Sequence, residues 1–95
     1  MVLVLSERLS RRVRRDFPAP GSADEILRLL AELPTDKVLG SERVQAAIVL
    51  LADGDFYRLR DGLALARIDW RDVLVAADLA DSDWLARLDR ELDPA

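Results

Sequence analysis

Arg8, Arg11, Arg12 and Arg15 recur at i, i+3, i+4 and i+7, the spacing that sets side chains along one face of a helix. A row of guanidinium groups binds phosphates and carboxylates, so the stripe, with Arg14 at its edge, is a candidate anion- or partner-binding face. Nucleic acid, an anionic lipid surface or an acidic protein would suit it. Charge balance argues for a plainer use. Residues 1–15 carry five arginines against Glu7, a net +4, whereas residues 16–95 carry nine basic and seventeen acidic groups, a net −8. Arginines beside that many carboxylates find counter-ions within their own molecule. The stripe also lacks lysine and a nearby aromatic, both usual in a nucleic-acid footprint.

The remaining chemistry-bearing groups are weaker candidates. Histidine and cysteine are absent, which removes the imidazole base, the thiol nucleophile and the ordinary zinc ligands. Asp53 with Asp55, and Asp81 with Asp83, place carboxylates two apart. A calcium loop started at Asp53 puts Tyr57 and Arg58 where an oxygen ligand and a glycine belong. Helix capping accounts for these aspartates better. The five serines (Ser6, Ser10, Ser22, Ser41 and Ser82) have no base to activate them, and neither a nucleophile elbow nor a phosphate-cradling glycine loop occurs. A helix-turn-helix over 24–52 fails because its second helix offers only Glu42, Arg43 and Gln45 before turning wholly apolar. Phe56, Tyr57, Trp70 and Trp84 are expected as core anchors rather than a ligand cage. No enzyme activity, metal, cofactor or small-molecule ligand is expected from these residues.

The elements that would hold these groups all read as helix. Leu5, Leu9, Val13 and Phe17 mark a first helix over about 3–15, stopped by Pro18-Ala19-Pro20-Gly21. Ser22-Ala23-Asp24-Glu25 has the form of a capping box, with Ser22 as cap and Glu25 reaching back. The helix behind it carries Ile26, Leu27, Leu30 and Leu33 on one face and ends at Pro34. Ser41 caps a third helix over about 42–53, closed by Gly54 in a left-handed conformation. Residues 46–52 contain no polar side chain, as expected of a buried central helix. Asp55-Phe56, Asp69-Trp70 and Asp83-Trp84 then recur at fourteen-residue spacing, each aspartate capping a short helix and each aromatic packing inward. That predicts helices near 56–66, 70–79 and 83–92, the first weakened by Gly62, and the pairing is somewhat like a HEAT hairpin.

The expected fold is therefore all-α. A single domain over 1–95 is built as a compact bundle of five or six short helices around the 42–53 segment. Its core should contain Leu9, Val13, Ile26, Leu30, Val44, Ala47, Ile48, Leu51, Phe56, Leu59, Leu63, Trp70, Val73, Leu74, Trp84 and Leu88. At 95 residues and 51% hydrophobic composition the chain can fold without a metal or disulfide. The apolar opening Met1–Leu5 is too short to span a bilayer, and its arginines follow rather than precede it, which leads us to expect a cytoplasmic protein.

Arg43-Val44-Gln45-Ala46-Ala47 and Asp69-Trp70-Arg71-Asp72-Val73-Leu74-Val75-Ala76 resemble stretches of a group of small actinobacterial helical proteins. That resemblance implies an all-helical cytoplasmic protein and carries over no functional residues. The leading functional expectation is a non-enzymatic module that binds another protein or itself, through apolar residues in excess of what one buried stripe per helix uses (Val2, Val4, Leu29, Leu50, Leu65, Val75, Leu79 and Leu85), some of which should remain exposed as a patch. The rival is nucleic-acid or anionic-surface binding through the first helix.

Overall fold

The computed structural model describes residues 5–33 and 42–92. These form α1 (Glu7–Asp16), α2 (Ser22–Ala31), α3 (Glu42–Ala52), α4 (Phe56–Ala76) and α5 (Trp84–Leu92), with no strand among the described residues. The fold is all-α, as the periodicity predicts. The proposed Ser41 cap, the loop 34–40 and the surplus residues Val2 and Val4 lie outside the described residues.

Helix α1 begins after Ser6, whose Oγ accepts from the Leu9 amide at 3.3 Å, and it buries Leu9 and Val13. At its end Phe17 donates its amide to the Val13 carbonyl and is itself buried. The next boundary departs from expectation. Gly21, at φ 81°, is the cap of α2, and Ser22 is the first helical residue with no side-chain capping bond in front of it. The Glu25 amide bonds to the Gly21 carbonyl at 3.1 Å. The capping box is therefore not formed. The Glu25 carboxylate turns instead to Arg28, 2.7 Å away, and holds that guanidinium's pKa above its ordinary value.

Helix α3 buries Val44, Gln45, Ala46, Ala47, Ile48, Val49 and Ala52. It packs along α4 and also touches α1 and α5. Gly62 makes the close approach to α4 possible: a Cβ there would lie 3.3 Å from Ile48 Cγ2. What reads in sequence as a weak point of a helix is the place where two helices meet. Behind α3 the chain turns through Asp53 (φ 49°) and Gly54 (φ 82°), so the left-handed stop falls where glycine predicted it.

Two predicted helices are joined. Residues 56–76 run as one element bent at Asp69, whose backbone is extended (φ −154°, ψ 96°). Asp69 still caps the second leg, its Oδ1 accepting from the Arg71 amide at 3.1 Å, just as Asp55 caps the first leg through Tyr57 and Arg58 at 2.8 and 3.1 Å. The second leg stops at Ala76, three residues short of the predicted 79. Asp78 adopts a left-handed conformation (φ 62°), with Asp78 N bonded to the Val75 carbonyl and Leu79 N to the Leu74 carbonyl at 3.1 and 2.8 Å. That pair of bonds is a Schellman closure. It folds Leu79 back into full burial, so this residue belongs to the core and not to the apolar surplus. Phe17, Leu33, Val49 and Leu92 are further core members outside the expected set. Leu51, Phe56, Trp70 and Trp84, expected inside, are only partly buried against the core.

Candidate functional site: the arginine face and the apolar ridge

Ser6 sets the start of α1 and thereby fixes how the arginines are distributed around it. Arg8 and Arg12 each precede a buried residue, Leu9 and Val13, and are drawn toward the bundle. Their side chains are 22% and 13% exposed, against 61% for Arg15. Arg8 makes a two-pronged bond to Glu42 of α3, Nε to Oε2 at 2.9 Å and Nη2 to Oε1 at 2.6 Å. Its Nη1 also donates to Asp89 of α5. The Ser6 hydroxyl donates to Glu42 as well, so one carboxylate receives both the cap and the guanidinium. These bonds hold the Glu42 carboxyl below the usual carboxylate range, the Arg8 bonds contributing most and burial opposing them. The same bonds to Glu42, then those to Asp89, push the Arg8 guanidinium up.

Arg12 bonds Asp16 one turn on at 2.9 Å and donates Nη1 to the Glu91 carbonyl of α5 at 2.6 Å. The outward members pair locally: Arg11 with Glu7 at 3.6 Å, Arg14 with Asp24 at 3.2 Å and Arg15 with Asp16 at 3.4 Å. The predicted stripe thus divides by depth. Arg8 and Arg12 join three helices, while Arg11 and Arg15 remain on the surface beside carboxylates.

The aromatic residues divide as well. Trp84 lies beneath the Arg43 guanidinium at 4.5 Å, and Trp70 beneath Arg71 at 5.0 Å, both cation–π contacts at the edge of the core. Tyr57 stands outside, 78% exposed, and Ile68 is 83% exposed. Both belong to the first leg of α4, eleven residues or about three turns apart, and so share one face. Beside that face a shallow concavity of about 210 Å³ is lined by Leu51, Arg58, Asp61, Gly62 and Leu65. Periodicity does not mark Tyr57 and Ile68, because the apolar positions of α4 do not fall on one stripe.

Among the described residues no group of three acidic side chains is placed to hold a metal ion, and no helix is long and apolar enough to cross a membrane. Compared with known protein families, with curated proteins and with solved structures, the chain matches none.

Proposed function

We propose that this protein is a cytoplasmic, non-enzymatic interaction module that binds another protein or a second copy of itself. The observation that carries the reading is the exposed pair Tyr57 and Ile68 on one face of α4. Large side chains left open to water on a shared helical face are characteristic of interfaces, where an aromatic residue contributes much of the contact energy. The adjoining concavity adds Leu51 and Leu65, set beside the charged Arg58 and Asp61. The lack of histidine and cysteine supports a role without catalysis.

Sedimentation equilibrium and affinity capture from native cells test the proposal, with Tyr57→Ser/Ile68→Ser as the comparison protein. We expect a dimer or a captured partner that the double variant loses. A strictly monomeric protein that captures nothing sinks the reading. Polyanion binding through α1 is the weaker alternative, since Arg8 and Arg12 are engaged inside the fold and only Arg11 and Arg15 of the four face solvent. Titration of labelled duplex at about 50 mM salt, where phosphate contacts are strongest, separates the two readings.

A further inference from the structure

Helix α5 is joined to the bundle differently from α3. Of its nine residues only Leu88 and Leu92 are buried, with Trp84 partly buried beneath Arg43, whereas α3 buries seven of eleven. Charge supplies much of the rest. Arg8 reaches Asp89, and Arg12 reaches both the carbonyl and the carboxylate of Glu91, at 2.6 and 3.7 Å. Asp89 and Glu91 are 58% and 50% exposed, so dissolved ions reach these pairs and screen them. The connection to α4 has a firm end and a loose end. Leu79 is buried and its carbonyl accepts from Arg43 Nε at 2.9 Å, while Ala80, Asp81, Ser82 and Asp83 are all exposed.

We propose that α5 is an ionically latched strap, which detaches beyond Leu79 and returns while α3 and α4 stay folded. A helix of this length does not persist alone in water, so the detached strap unravels and its amides exchange with solvent. Release also uncovers the parts of α1 and α3 against which α5 rests. Subglobal opening of this kind follows the weakest set of contacts, and here those contacts are the screened ones.

Native-state hydrogen exchange on the full chain tests the proposal by comparing peptides from 84–92 with peptides from 44–52. Raising NaCl from about 20 mM to about 500 mM shortens the screening length from ~20 Å to ~4 Å. We expect exchange in α5 to rise about tenfold relative to α3 over that range. In Arg8→Gln/Arg12→Gln the strap should exchange fast at every salt concentration, and Arg15→Gln should behave as the parent protein. A common exchange rate for both helices at all salt concentrations overturns the proposal. So does a double variant whose α5 stays as protected as the parent's. If that variant does not fold, the salt series on the parent protein still decides.

Discussion

The seam between α3 and α4 and the seam between α1 and α5 solve the same problem with different materials. Across the first, Ile48 lies against Gly62, where a Cβ would come within 3.3 Å, and the neighbours Val44, Ala47, Leu59 and Leu63 are all buried. Across the second, guanidinium groups of Arg8 and Arg12 reach carboxylate and carbonyl oxygens that water also reaches. Apolar contacts carry no charge for ions to screen or protons to neutralise, whereas ion pairs respond to both. The bundle therefore has one seam that changes only when shape changes and another that changes with the solution.

The largest expected effect comes from charging the first seam. Ile48→Asp places an unpaired carboxylate at a fully buried site, costing several kcal/mol, enough to abolish cooperative folding. Thermal melting followed by circular dichroism checks it, and a parental melting curve would refute the packing described above. Overfilling the same seam should cost less. Gly62→Val sets a branched side chain against Ile48, with an expected loss of about 1–3 kcal/mol by urea titration. Unchanged stability would mean that the two helices can separate without penalty.

Acid should expose a further ionic joint, the Arg8–Glu42 bond between α1 and α3. Glu42 has its folded-state pKa depressed by Arg8, so its contribution is present above the unfolded carboxylate value and lost as pH falls through the lower folded one. We expect the parent protein to lose on the order of 1–2 kcal/mol from this bond below about pH 4. Glu42→Gln should be less stable near neutral pH and flatter across the acid range, as read from urea midpoints at each pH. Equal slopes for the two proteins would mean that the Arg8–Glu42 bond adds nothing to the joint between α1 and α3. The smallest effect concerns a polar residue among apolar ones. Gln45 is buried, and among the described residues its Nε2 has no hydrogen-bond partner. Gln45→Leu, similar in volume, should gain about 1 kcal/mol in the same assay by deleting an unsatisfied donor. A loss of stability would mean that the amide is bonded in solution.

Local signals in the chain are legible to the extent that their partners are local. The run 46–52 announces a helix with apolar residues on every side, and the carboxylates of Asp55 and Asp69 need only reach an amide two residues on. The Ser22–Glu25 pattern misleads because the Pro-Ala-Pro-Gly turn places Gly21 in the cap. Leu79 is misjudged because its burial depends on a left-handed Asp78, and aspartate at that position gives no advance notice as glycine would. The arginine spacing correctly predicts a shared helix. It does not separate Arg8 and Arg12 from Arg11 and Arg15, because the separation depends on partners 34 to 81 residues away. Side-chain type and spacing therefore identify candidates, and only the tertiary arrangement decides which of them are spent on the fold.

The bend at Asp69 has a consequence for insertions and deletions. A straight helix of twenty-one residues would run about 31 Å, while the molecule measures 36 × 32 × 27 Å. Bending within one residue keeps both legs against the bundle, and it leaves no slack in which a change of chain length can be absorbed. One residue added between Phe56 and Ile68 turns everything beyond it by about 100° relative to the first leg. Val73 and Leu74, both buried, would then be carried toward water. One residue added among the exposed positions 80–83 would only lengthen a link. Natural variation in length should therefore gather at 80–83 and avoid 56–76, a constraint on the number of residues that is separate from any constraint on their identity.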